Sequence, residues 1–190
     1  MITVFGSLNV DYIFQVPQLP APGETVLASN MQVLPGGKGA NQAVAAARAG
    51  AKVSMVGAVG RDALSKIALA GLLDAGVDTS AVALSTMPTG TAAINVDAQG
   101  ENAITVSSGA NLDASGDSLD EKNLTPHTTV LLQMEVPMTA MADLVQRARK
   151  KESCIVWNLA PMQCVDLALL KQVNCLIVNE VELLSLIHIS

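Results

Sequence analysis

Hydrophobic and polar positions follow two distinct patterns along this chain. Short, mostly apolar runs occur at Ile2–Phe5, ending at Gly6, and at Lys52–Val56, ending at Gly57; others lie at Thr129–Met134, Cys154–Trp157 and Cys175–Val178. Runs of this length bounded by turn formers predict strands buried on both faces. Between them lie segments with helical character at Ala40–Ala49, Ala63–Asp74 and Met138–Lys151, and a shorter one at Asp166–Gln172. Gly50 and Gly76 stand where a helix end favours a left-handed residue. Pro137 suits an early helix position and Asp62 an N-cap. Alternating strand and helix predicts an α/β fold, a mostly parallel sheet flanked by helices. Tyr12–Val16, Val26–Leu34 and Thr91–Ser107 break the alternation. Within the last, Thr91–Asp97 and Asn102–Ser107 read as a hairpin turning at Ala98-Gln99-Gly100-Glu101. These strands predict a separate small β layer. Asn111–Asn123 is polar and predicts a loop with at most one helical turn.

Composition narrows the picture. With 190 residues the chain can form one sizeable domain, and 50% hydrophobic residues supply a core. Aromatics make up only 2%, so that core is expected to be aliphatic, with Trp157 inside it. The net charge of −6 and the lack of any basic run argue against a nucleic-acid surface. Cys154, Cys164 and Cys175 form no CxxC pair and read as small buried residues of a reducing compartment. With His127 and His188 the only histidines, no zinc site is predicted. The start, Met1-Ile2-Thr3-Val4-Phe5, lacks the basic region of a signal peptide, and no apolar stretch is long enough to span a bilayer. A cytoplasmic location, with no membrane partner, is the expectation.

The candidate chemistry centres on Gly36-Gly37-Lys38-Gly39-Ala40-Asn41-Gln42-Ala43, a glycine turn running into an alanine-rich helix. Glycines let backbone approach a ligand, and a helix N-terminus offers unpaired N–H groups. The turn is not a P-loop, because Gly37-Lys38 is followed by Gly39 rather than Ser or Thr, and position 32 is Gln. It is not a Rossmann fingerprint either, because the third glycine would fall on Gln42. Asn9 and Asp11 follow the first strand; an amide and a carboxylate can read a polyol, or can cap a turn. Glu135 lies at the C-terminal end of a predicted strand, where ligands of open α/β sheets gather, or favours a helix dipole.

Gly6-Ser7-Leu8-Asn9-Val10-Asp11, Pro22-Gly23-Glu24-Thr25, the Gly36–Asn41 turn with its helix, Leu132-Gln133-Met134-Glu135-Val136-Pro137 and Asn179-Glu180-Val181-Glu182 occur in this order. Together they make the chain resemble the ribokinase-like, phosphofructokinase-B-type carbohydrate kinases over almost its whole length. The resemblance implies a large α/β domain with a small β-sheet lid that can pair between subunits as a homodimer. It implies transfer of the ATP γ-phosphate to a sugar hydroxyl, with D-ribose the expected pentose and ribose 5-phosphate the product. Asn9, Val10, Asp11, Gly37, Lys38, Gly39, Ala40, Asn41 and Glu135 are then the expected substrate-binding residues. Asn179 is expected near the ATP phosphates, and Glu182 to help hold Mg²⁺ through water. A monovalent cation such as K⁺ is expected in the intact enzyme.

The family's catalytic aspartate stands in a Gly-Ala-Gly-Asp segment, and the 190 residues contain none. The expectation is therefore a ribokinase-like domain over residues 1–184, missing the C-terminal part of the fold and inactive as it stands. Ser185-Leu186-Ile187-His188-Ile189-Ser190 resembles translated adapter sequence and is expected to be non-native. Another sugar or nucleoside kinase of the family, for example for deoxyribose, and a non-catalytic sugar-binding module are the alternatives.

Overall fold

The computed structural model describes residues 1–187. Ten strands fall into two sheets. The larger has six parallel strands in the order β10-β9-β8-β1-β4-β5. These are β1 (Ile2–Phe5), β4 (Val53–Gly60), β5 (Asp78–Ser85), β8 (Thr129–Leu132), β9 (Cys154–Asn158) and β10 (Cys175–Ile177). The smaller has the order β3-β2-β6-β7, from β2 (Asn9–Gln15), β3 (Asn30–Gly36), β6 (Gly90–Val96) and β7 (Asn102–Ser107). Among the described residues the helices are α1 (Lys38–Arg48), α2 (Leu64–Asp74), α3 (Met138–Lys150), α4 (Leu167–Leu170) and α5 (Glu180–Ile187).

The continuous apolar runs are explained by two cores, one on each face of the large sheet. Within β1, Val4 faces α1 and α2 together with Met55, Ala40, Ala43 and Leu72, and the next residue, Phe5, faces the opposite side. There Val130, Ile155 and Trp157 pack with Met141, Leu144 and Val145 of α3. A strand covered on both faces needs an apolar residue at every position. Small residues let α1 lie close to the sheet, with Gly39, Ala40 and Ala43 buried. Gly50 (φ +92°) closes α1 through its N–H to Ala47 C=O at 2.9 Å. Asp62 performs the expected capping, accepting from Ser65 N at 3.1 Å just before α2.

Several expectations need correction. Val26–Leu34 is strand only from Asn30, because the partner strand β2 ends at Gln15, which pairs with Asn30. β5 is a further strand that the expected elements do not include: its apolar stretch is confined to Ala81–Leu84 behind the polar Asp78-Thr79-Ser80, and the strand is half-exposed. The stretch 111–123 holds parts of three 3-10 turns rather than one helical turn. Cys164 and Cys175 are exposed and Cys154 half-buried, not the buried trio expected. Cys175 lies on β10, the outermost strand of its sheet, and Cys164 in an irregular segment. Of the tail expected to be non-native, residues 188–190 lie outside the described residues.

Candidate sugar-binding site

In the large sheet the chain moves outward from β1 in both directions: β4 and β5 on one side, β8 to β10 on the other. The switch point between β1 and β8 opens a crevice beyond their C-terminal ends, where ligands of open α/β sheets bind. Ser7 and Asn9 leave the end of β1 and Glu135 leaves the end of β8. The second sheet starts at the same place, with Asn9 paired to Gly36 of β3 and to Gly90 of β6.

Asn9, Asp11, Gly37, Lys38, Asn41 and Glu135 converge on one cleft of about 120 Å³, whose apolar wall is Ala92, Ile94, Ile104 and Val106 of the second sheet. A neighbouring cleft of about 290 Å³ shares Asn9, Val106 and Glu135 and extends along Met134–Met138 to Pro161 and Gln163. Alternation along β2 places Asn9 and Asp11 on one side of the strand. Val10, between them, is buried in the core beneath, so its side chain does not serve as the expected sugar contact.

The first turn of α1 is not an open set of donors. Lys38 N donates to Glu135 Oε2 at 3.1 Å, Gly39 N to Ser7 Oγ at 3.3 Å and Ala40 N to Ser7 C=O at 3.0 Å. Gly39 and Ala40 therefore do not line the cleft; their amides are engaged by the end of β1. Lys38 Nζ donates to Glu135 Oε1 at 2.7 Å and Ser7 Oγ to Glu135 Oε2 at 2.5 Å. Glu135 thus occupies the positive end of α1, a helix far from it in sequence. Burial pushes its carboxyl up, but the hydrogen bonds from Lys38 and Ser7 outweigh burial and hold it below the ordinary range.

Asp11 is different. Its carboxylate makes no hydrogen bond among the described residues, and burial, then the Glu135 charge, raise its pKa against the opposing pull of Lys38. Its carboxylate rests on bare backbone at Gly36, where any Cβ would overlap it. Gly37 (φ +90°) adopts a conformation open to glycine, and a Cβ there would also crowd Ser7 C=O and Asn9 N. The Asn41 amide, like the Asp11 carboxylate, has no partner among the described residues.

Two participants carry no role in the sequence reading. Ser7 lies within Gly6–Asp11 with no expected function, and Asn111 lies in a stretch expected to be loop. Asn111 Nδ2 donates to Asn9 Oδ1 at 2.7 Å from inside the protein. A buried Asn contributed by an irregular segment leaves no periodic signal; only its position after Gly109-Ala110 could have drawn attention.

Asn179 and Glu182 do not line this cleft. Asn179 N donates to Glu182 Oε2 at 2.8 Å and Glu182 N to Asn179 Oδ1 at 2.8 Å, a reciprocal box that starts α5. Among the described residues no group of three or more His, Cys, Asp or Glu could hold a metal ion.

The profile of pfkB family carbohydrate kinases matches residues 1–190. A ribokinase of Haemophilus influenzae is 38% identical over 184 residues, covering 95% of this chain and 60% of the relative. A solved ribokinase of Thermotoga maritima superposes with a TM-score of 0.88 at 33% identity, covering 98% of this chain and 61% of that one. A ribokinase of Arabidopsis thaliana, solved with ribose and ATP, gives 0.83 at 32% identity over 96% of this chain and 61% of that one. The chain spans about 60% of the length of these relatives. With the matched profile covering it from end to end, the chain belongs to the pfkB family of carbohydrate kinases.

Proposed function

We propose that this chain is the acceptor-binding part of an ATP-dependent kinase that converts D-ribose to ribose 5-phosphate. The observation that carries the reading is the convergence of Asn9, Asp11, Gly37, Lys38, Asn41 and Glu135 on one cleft. Asp11, Asn9 Nδ2 and the Asn41 amide have no partners among the described residues, and together they offer an acceptor and donors to a polyol. Ile94, Ile104 and Val106 cover the carbon face of a small sugar. The Arabidopsis relative's bound ribose and ATP support the same pair of substrates here.

Phosphoryl transfer needs a base for the sugar hydroxyl and donors for the developing charge. The 190 residues hold no Gly-Ala-Gly-Asp segment, so we infer that they bind the acceptor without turning it over. In the intact enzyme Asn179 would lie near the ATP phosphates, Glu182 would hold Mg²⁺ through water, and K⁺ would act as activator. The second sheet acts as the lid. Its outer strand β3 exposes Met31 and Val33 on the face opposite Asp11, a surface suited to a homodimer. No described helix is long and apolar enough to cross a membrane. A cytoplasmic location is part of the proposal and follows from the family reading.

Calorimetric titration with D-ribose, 2-deoxyribose and a hexose tests the reading. Ribose should bind, and Asp11→Ala should abolish binding. Preferential binding of 2-deoxyribose would move the assignment to a deoxyribose kinase. No sugar binding to well-folded protein would refute it.

A further inference from the structure

The Leu8 backbone directs both of its hydrogen-bonding groups to one side chain. Leu8 N donates to Asn111 Oδ1 at 2.9 Å, and Leu8 C=O accepts from Asn111 Nδ2 at 3.3 Å. A backbone N–H can meet only the oxygen of a carboxamide, and a C=O only its nitrogen. Asn111 is therefore fixed in one of its two amide orientations. Its Nδ2 also reaches Asn9, whose Oδ1 accepts at 2.7 Å. That contact fixes Asn9 in turn. With Oδ1 engaged inward, Asn9 Nδ2 is the end left for the cleft, and it has no partner among the described residues. Asn111 is 1% and Asn9 3% exposed, so water does not compete for the contact between them. The pair rests on Gly90, where any Cβ would overlap both Asn9 Oδ1 and Asn111 Nδ2.

We propose that Asn111 is a positioning residue for sugar recognition, holding Asn9 with its amide nitrogen toward the cleft so that Asn9 acts only as a hydrogen-bond donor. The inference rests on the sugar-binding reading of that cleft. Asn111 comes from the irregular segment after β7, and Asn9 from the start of β2, 102 positions earlier. Donor-only Asn9 and acceptor-only ionised Asp11 stand two residues apart on one strand. They set opposite hydrogen-bond directions for the hydroxyls they meet, so a ligand lacking one hydroxyl leaves a fixed group unpaired.

The test is a double-mutant cycle on Asn9→Ala and Asn111→Ala in the protein as its gene encodes it. Ribose affinity is read by calorimetry. Asn111→Ala should weaken ribose about tenfold, the scale of one lost hydrogen bond. In the Asn9→Ala background the same substitution should have no further effect. Equal weakening in both backgrounds, or none in the wild-type background, would overturn the proposal. Side-chain amide exchange in the unsubstituted ¹⁵N-labelled protein needs no sugar. Asn111 NH₂ should exchange more slowly than Asn9 NH₂, and the reverse order would overturn the assignment even if ribose failed to bind. Failure to bind ribose with the expected exchange order would count against the sugar reading alone.

Discussion

Replacing Glu135 by Gln probes the joint between β8 and α1 with little change of shape. The carboxylate accepts from three donors: Lys38 Nζ on Oε1, and Lys38 N and Ser7 Oγ on Oε2. A carboxamide has one oxygen, so its NH₂ must face a donor in either orientation. The Lys38 side chain is 41% exposed and can turn to solvent, whereas Glu135 is 12% exposed and Lys38 N is fixed in the helix. The NH₂ therefore takes the Oε1 position and the lysine contact is lost. A half-exposed ion pair contributes at most about 1 kcal/mol. The two remaining bonds change from charged to neutral, a loss of about 1 kcal/mol each. Relief from burying a charge offsets part of this, leaving a cost of about 2 kcal/mol. Urea denaturation followed by fluorescence of Trp157, the sole and fully buried tryptophan, measures it. The pH dependence gives an independent sign. The folded pKa of Glu135 is lowered, so its contribution is complete above the unfolded value of about 4.3 and is lost as pH falls through the folded value. Wild type and variant should therefore differ at pH 7 and converge in acid. A difference under about 0.5 kcal/mol at pH 7, or one that persists unchanged in acid, would refute the clamp.

Gly36→Ala should displace the Asp11 carboxylate, since a Cβ at 36 would occupy its place; ribose affinity should fall more than about tenfold, and an unchanged calorimetric isotherm would show that Asp11 does not read the sugar. Asp11 has a raised pKa, first from burial and then from Glu135. Its ionised form therefore costs stability above the folded pKa, a cost relieved as pH falls. Ribose affinity should decline in acid starting above the ordinary aspartate value of about 3.9, and Asp11→Asn should remove that step and raise the melting temperature at pH 7. Asp62→Ala removes the acceptor of Ser65 N, Thr89 N and Thr89 Oγ1; it should cost about 1–2 kcal/mol in urea denaturation, and a silent substitution would count against this latch between α2 and β6. The 190-residue chain exposes 9884 Å², whereas a compact monomer of its mass exposes about 8,600 Å². The excess is larger than the roughly 800 Å² one partner contributes to a standard interface, and β10 exposes Leu176 and Ile177 at the sheet edge. Sedimentation should show self-association, and a monodisperse monomer with a sharp melt would contradict it.

What was legible in the sequence follows burial. β1, β4, β8 and β9 announce themselves because both faces meet a core, and no polar residue is tolerated at most positions. β5 does not, since one side of it meets solvent; β3 is legible as a strand, but its start is set by pairing to Gln15 rather than by its own residues. The same division runs through the site. Asn9, Asp11, Lys38, Asn41 and Glu135 could be picked out because polar residues at the ends of apolar strands or within a glycine turn lack a local reason. Asn111 could not, because its reason is the Leu8 backbone more than 100 positions away. Gly39 and Ala40 misled in the opposite sense: a helix start looks open in sequence, and only the fold shows Ser7 filling it.

That filling bears on the kind of ligand the cleft suits. An anion-binding turn needs free N–H groups and positive charge. Here the first three amides of α1 are engaged by Ser7 and Glu135, and Lys38 stands between two carboxylates, Glu135 in hydrogen-bond contact and Asp11 within Coulombic reach. With both carboxylates ionised, the charged groups of the cleft sum to minus one. A phosphate placed there would meet repulsion and find the first three backbone amides of α1 engaged, whereas a neutral hydroxyl can donate to Asp11 and accept from Asn9 or Asn41. The glycines of the turn serve this arrangement indirectly. They bring the helix start close enough to β1 for Ser7 to reach it, and at Gly36 they leave room for the Asp11 carboxylate. The helix dipole is thus answered within the protein, by Glu135, and the ligand is left to groups whose hydrogen-bonding sense is set by the fold.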